Sequence, residues 1–195
     1  MTKHRSGALK GSLFEEMINE TNELYREQEL ALVQKIPTPI IPMRQDRKRH
    51  VITLAFFEQK STVDYIGVAC GSPVCFDAKE CIYKSYPLRN IPQHQIRYMD
   101  DFQKQGGVAF LLICRKENEG DTFYYVPFRF IQAFLHRAQN GGRKSISFDE
   151  LDPKWAFTKT DQFPVPYLDM IALDLSSGIT EHCNKKTSEK RKDVS

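Results

Sequence analysis

The sequence predicts an α/β fold, and three observations carry that expectation. Apolar residues recur with helical spacing in three segments, and runs of strand-forming residues lie between them. One of those runs, Val108 to Cys114, is apolar enough for a strand buried on both faces. In chain order the elements read α-β-β-β-α-β-β-α-β. The chain has 195 residues, and a chain of that size buries roughly 70% of the surface its unfolded form exposes. One domain suffices, without disulfide or metal staples.

The first element is an amphipathic helix over 12–28. Leu13, Phe14, Met17, Ile18, Leu24 and Tyr25 form one face, with Glu15, Glu16, Glu20, Glu23 and Glu27 largely between them. Ala31 to Ile36 reads as a short strand ending at Pro37-Thr38-Pro39, since proline has no N–H to offer a sheet. The charged segment 42–50 and the apolar stretch Val51 to Phe57 suit a projecting hairpin over about 42–57 better than a packed connection. Thr62 to Ala69 and Val74 to Glu80 flank Cys70-Gly71-Ser72-Pro73 and read as an antiparallel pair. Ile91, Gln95, Tyr98, Met99 and Phe102 mark a second helix over 92–105, with Pro92 near its start and Gly106-Gly107 as its stop. Val108 to Cys114 and Phe123 to Val126 read as neighbouring strands, 127–138 as a helix closed by Asn140-Gly141-Gly142, and Tyr167 to Leu175 as a last strand. No internal repeat is present.

Hydrophobic residues make up 41% of the chain, with 13 Phe and 8 Tyr, enough for a core. No apolar run approaches the ~20 residues that a membrane-spanning helix needs, so no membrane role is expected. Residues 1–10 lack the apolar stretch and cleavage site of a signal peptide, which makes a reducing, cytoplasmic setting the expectation. The five cysteines, without a Cys-x-x-Cys pair or a His spaced for zinc, read as free thiols. The net charge of +3 is unevenly divided: residues 1–10, 42–50 and 184–195 each net +3, leaving the remaining body at −6. Positive arms surround an acidic body. The arm at 1–10 and the tail at 178–195 are polar enough to be disordered, which leaves 11–177 as a single domain.

The residues that carry chemistry sit on the central hairpin. Side chains alternate along a strand, so in Asp77-Ala78-Lys79 the carboxylate and the ammonium share one side, and the same rule pairs Thr62 with Asp64 on the preceding strand. A hairpin brings the two carboxylates together. Such a pair suits Mg²⁺, which keeps several waters and takes one or two protein carboxylates beside a phosphate oxygen, with Lys79 next to that phosphate. From spacing alone, a cross-strand ion pair accounts for the same residues. Gln95, on the core-facing stripe of the second helix, either satisfies a backbone group or turns its carbonyl toward a metal. Glu16 is a third acid near the apolar edge of the first helix, on what otherwise reads as a solvated face.

Ser61-Thr62-Val63-Asp64-Tyr65-Ile66-Gly67-Val68, Phe76-Asp77-Ala78-Lys79-Glu80 and His94-Gln95-Ile96-Arg97 resemble, in that order, the motifs of the RecU family of Holliday junction resolvases. Lys35-Ile36-Pro37-Thr38-Pro39, Tyr86-Pro87-Leu88-Arg89-Asn90 and Gly141-Gly142-Arg143-Lys144-Ser145-Ile146 extend the resemblance over roughly 11–175. It implies a restriction-endonuclease-like fold, a mixed β-sheet core flanked by helices, with the basic segment as a projecting stalk. It also implies Thr62, Asp64, Asp77 and Gln95 as Mg²⁺ ligands, with Mn²⁺ able to substitute, and Asp64, Asp77 and Lys79 as the catalytic group. Where this chain has Asp77 the family pattern has Glu, so the reach is one methylene shorter.

The activity implied is structure-specific cleavage of four-way junction DNA by paired symmetric nicks, in recombination and repair. Two symmetric nicks imply a homodimer. A RecA-type recombinase is a further implied partner, and a catalytically silent junction-binding protein that recruits it is the alternative reading. Arg44, Arg47, Lys48 and Arg49 on the stalk are expected to contact phosphates, which position a protein without reading sequence. Phe57, or Phe56 beside it, is expected to wedge into bases at the junction centre unless it packs in the core.

Overall fold

The ends of the helices and the turns between strands are set by identifiable local interactions, and these fix where the sheet residues point. The structure is a computed structural model that describes residues 12–37, 40–57, 62–118 and 120–177, without the side chains of residues 45 and 57. The expected terminal arms at 1–10 and 178–195 lie outside the described residues. Helix α1 (Leu13–Glu27) begins at a capping box: the Ser12 hydroxyl accepts from the Glu15 N–H at 3.2 Å, and the Glu15 carboxylate accepts from the Ser12 N–H at 3.2 Å. Strand β1 (Ala31–Lys35) follows, then a hairpin of β2 (Ile40–Asp46) and β3 (Val51–Phe57) that forms its own two-stranded sheet.

Strands β4 (Tyr65–Ala69) and β5 (Ser72–Cys81) are joined by a two-residue turn in which Cys70 and Gly71 both take positive φ, +52° and +71°, as a tight hairpin turn requires. Strand β6 (Ser85–Pro87) leads to α2 (Gln93–Lys104), β7 (Val108–Arg115), β8 (Thr122–Pro127) and α3 (Phe128–Gln139). Strand β9 (Ser145–Ser147) pairs with β6, β10 (Ala156–Phe157) pairs with β8, and a final helix α4 covers 168–177.

The main sheet runs β1-β4-β5-β7-β8-β10. Only β5 and β7 are parallel, connected through α2, and every other neighbouring pair is antiparallel, so the sheet is mixed. Alternation along β5 divides its side chains between two cores. Val74 and Phe76 face α1 and α4, together with Phe14, Ile18, Phe110, Tyr167 and Ile171, whereas Cys75 and Cys81 face α2 and α3, together with Met99, Leu111, Ile113 and Ile131. The result is a three-layer α/β/α arrangement, with β5 central and buried on both faces.

Two expectations need correction. The last strand, read over Tyr167 to Leu175, is a helix: Tyr167, Ile171 and Asp174 are buried, at the spacing of a helix. A buried Asp masks that stripe in the sequence, because Asp174 is inside only through partners, accepting from the Tyr125 hydroxyl at 2.8 Å and pairing with Arg129. The strand read from Thr62 starts at Tyr65, so strand alternation does not apply to Thr62. The strands β6, β9 and β10 have no counterpart among the expected elements, being two or three residues long.

Candidate active site

The register of the central hairpin places the two acids. Tyr65 pairs with Phe76, so one further step along the ladder sets Asp64 across from Asp77. The Asp64 main-chain carbonyl accepts from the Ile36 N–H at 2.8 Å, and its carboxylate Oδ2 accepts from the Ala78 N–H at 3.0 Å. Asp64 is thus fixed at both ends and half-buried, with its carboxylate beside that of Asp77.

Asp77 is buried on the α2 side of β5. Gln95, reaching in from α2, donates its amide Nε2 to Asp77 Oδ1 at 2.6 Å, and the Lys79 ammonium pairs with Oδ2. Burial is the main cause that pushes the Asp77 carboxyl up, to about 7, followed by the like charge of Asp64; the Lys79 ammonium pulls the other way. Tyr86, buried behind the site, has its phenol pushed above the ordinary range by burial and by the Asp77 charge; the sequence places it in a family-like motif but gives it no role at the site.

The structure therefore brings together four of the five residues expected to form the centre: Asp64, Asp77, Lys79 and Gln95. Thr62 is exposed in the segment before β4 and stands outside the buried group. Glu16 is exposed on α1, which packs on the opposite face of the sheet from Asp77, so it does not join the site. Neither neutral reading from the sequence is what the structure shows: Lys79 pairs with Asp77 along the strand rather than across it, and Gln95 bonds a carboxylate rather than the backbone.

These donors fit a hard divalent cation. Gln95 Oε1 is buried and accepts no hydrogen bond, an acceptor whose burial is costly until a cation or its water satisfies it. Among the described residues no group of three or more His, Cys, Asp or Glu is poised for a metal. The site itself offers two carboxylates plus an amide oxygen, a donor set of the kind Mg²⁺ takes with water.

Arg44 lies on β2, and Arg47, Lys48 and Arg49 occupy the exposed turn of the β2–β3 hairpin. Asp46 shapes that turn, its Oδ1 accepting from the Lys48 N–H at 3.0 Å and the Arg49 N–H at 3.2 Å. Phe56 is exposed near the end of β3, so it does not pack in the core; Phe57 ends the strand.

The sequence profile of a family described as Recombination protein U matches residues 9–173. The chain belongs to the RecU family. A relative from Bacillus cereus (strain B4264), called Holliday junction resolvase RecU, is 37% identical over 170 residues, covering 83% of this chain and 84% of that protein. The RecU of Streptococcus gordonii is 37% identical over 179 residues, covering 88% and 86%. That of Streptococcus pneumoniae (strain CGSP14) is 36% identical over 185 residues, covering 92% and 91%. Among solved structures, the Archaeoglobus fulgidus Holliday junction resolvase Hjc aligns over 72% of this chain and 88% of its own, with a TM-score of 0.40 and 12% identity. RecU membership and the mixed sheet flanked by helices agree with what the motifs implied. No helix among the described residues is long and apolar enough to cross a membrane.

Proposed function

We propose that this chain is an endodeoxyribonuclease that resolves four-way DNA junctions by paired nicks, acting as a cytoplasmic homodimer with Mg²⁺, or Mn²⁺ in its place. One observation carries the proposal: a buried carboxylate, Asp77, held by both Lys79 and Gln95, with Asp64 opposite it on the adjoining strand. A purely structural hairpin has no use for two acids and a lysine gathered around a buried strand, where burial opposes the charge.

Asp64, Asp77 and Gln95 would hold the cation, with Thr62 at the exposed rim. When bound, it supplies a water of lowered pKa and charge to offset that of the phosphate. Lys79 stands beside the carboxylate with its ammonium partly open, placed to hold a non-bridging phosphate oxygen and to offset the negative charge that grows as water attacks. Gln95 orients the Asp77 carboxylate through Oδ1, and the Ala78 N–H does the same for Asp64, so both acids keep their positions as substrate arrives.

The hairpin supports both the dimer and the substrate. A two-stranded sheet by itself is marginal in water, yet Ile41, Met43, Ile52, Leu54 and Phe56 are all exposed on this one. Pairing of two such stalks about a dyad covers these side chains and sets the two basic tips side by side at the junction centre, with Phe56 and Phe57 near the bases. A RecA-type recombinase is the protein partner that accompanies this reading. The test is cleavage of a labelled immobile four-way junction against linear duplex of the same sequence, with Mg²⁺ or EDTA. Metal-dependent cuts confined to the junction support the proposal. Tight junction binding without cleavage in either metal replaces it with a silent junction-binding protein.

A further inference from the structure

Beyond Cys81 the chain leaves β5 through Ile82-Tyr83-Lys84 before β6 begins at Ser85. Ile82 and Tyr83 are the most exposed large hydrophobic side chains among the described residues, at 70% and 68%. Their backbone is nevertheless held fast. The buried Cys81 thiol lies 3.5 Å from the carbonyl oxygens of both Tyr83 and Ser85, and its sulfur accepts from the Tyr83 N–H at 3.4 Å. The Lys84 carbonyl accepts from the Phe148 N–H at 3.3 Å, and the Lys116 N–H donates to the Cys81 carbonyl at 2.8 Å. A loop pinned at both ends presents two bare apolar side chains to solvent, which costs free energy unless something covers them.

Asp77, Lys79 and Cys81 alternate onto one face of β5, so the thiol that organises this loop is next in line after the catalytic pair. At about 3.5 Å per residue, Tyr83 lies within about 14 Å of Lys79, a span of about four nucleotides at the rise of about 3.4 Å of one strand. We infer that Ile82 and Tyr83 are a substrate-contacting element, in which the Tyr83 ring packs on a base or sugar within about four nucleotides of the scissile phosphate. The inference rests on the nuclease reading of the Asp77 site and adds to it where the cleaved strand runs. Continuity with that site selects the occupant. Lys84 supplies the positive charge that a phosphate backbone calls for, and an aromatic ring accepts any base, as a structure-specific enzyme needs. The loop is pre-organised, so no ordering cost is incurred when the strand arrives.

The experiment uses the full chain and a four-way junction carrying 2-aminopurine, placed in turn at each of the four nucleotides on either side of the cut, with Ca²⁺ in place of Mg²⁺ for the fluorescence. Wild type is expected to change the fluorescence at one or two of these positions, Tyr83→Phe and Tyr83→Trp to keep the change, and Tyr83→Ala to lose it. Junction affinity of Tyr83→Ala should fall by roughly 5- to 150-fold, with an unaltered melting temperature and an unaltered dimer. A fluorescence pattern indifferent to Tyr83, in a chain that still cuts junctions, overturns the inference and leaves the nuclease reading standing. So does a Tyr83→Ala variant that binds DNA normally but falls to monomers, which would make the loop an interface between copies. A wild type that cuts no junction removes both readings together.

Discussion

Gln95 on α2 and Asp77 on β5 are joined by a 2.6 Å hydrogen bond across the layer between helix and sheet. The bond leaves Gln95 Oε1 buried and unpartnered beside two carboxylates. Helix α2 is also the crossover that makes β5 and β7 parallel. The element that determines the topology therefore delivers the amide to the acid.

Replacing Gln95 by Ala is expected to weaken Mg²⁺ binding by about 10- to 100-fold, since it removes an orienting partner of a ligating carboxylate. The readout is the Mg²⁺ dependence of the melting temperature, because an ion that binds only the folded state raises it by mass action. Wild type should respond at concentrations where Gln95→Ala does not.

Lys79→Ala should lower the cleavage rate by at least about 10²-fold, the scale of losing one pre-organised charge at a reacting phosphate. Junction affinity should change little, because the stalk still holds the DNA. Single-turnover cleavage set beside a binding isotherm separates the two.

Changing Arg44, Arg47, Lys48 and Arg49 together to Ala should weaken junction binding and flatten its salt dependence. Every phosphate that the protein no longer neutralises reduces the slope of log affinity against log salt by about 0.9, so the loss of four contacts per subunit reduces it by about 3.6 for each subunit. The response of melting temperature to Mg²⁺ should stay as in wild type. An unchanged slope would remove the stalk from the interface.

Gly67 on β4 has Leu32 of β1 directly against it: a Cβ there would meet the Leu32 carbonyl oxygen at 2.1 Å. Gly67→Ala must push β1, an edge strand, away from β4. A loss of about 1–3 kcal/mol is expected, read as a melting temperature lower by several degrees.

The Cys114 thiol is pushed up to about 12, mainly by burial. The folded state holds that proton more tightly than the unfolded one, so this contribution to stability is intact below pH 9 and is lost as the pH climbs toward 12. At about pH 8, iodoacetamide should label the exposed Cys70 in the native chain and reach Cys114 only after denaturation.

Legibility follows periodicity. The amphipathic helices are readable because one face of each is apolar, the β4–β5 pair because a Gly-containing connection of hairpin length separates two runs of strand-forming residues, and Asp77 with Lys79 because strand alternation needs no knowledge of tertiary structure. Thr62 escapes the rule because alternation holds only inside a strand, and the chain becomes one only at Tyr65. Helix α4 reads as a strand because its buried stripe contains Asp174, whose partners Tyr125 and Arg129 are distant in sequence. The pinned loop at Ile82 and Tyr83 leaves no periodic signal, since its geometry depends on a thiol bonded to the backbone of its own turn.

Paired active sites built on Asp77 are tested most sharply by cleavage of a supercoiled plasmid carrying an extruded cruciform, in Mg²⁺, by wild type and by Asp77→Asn. Two coupled sites predict linear plasmid from wild type, cut symmetrically across the junction, and uncut plasmid from the variant although it still binds. Cutting by Asp77→Asn at the wild-type rate, or nicking scattered over duplex by wild type, would contradict that assignment.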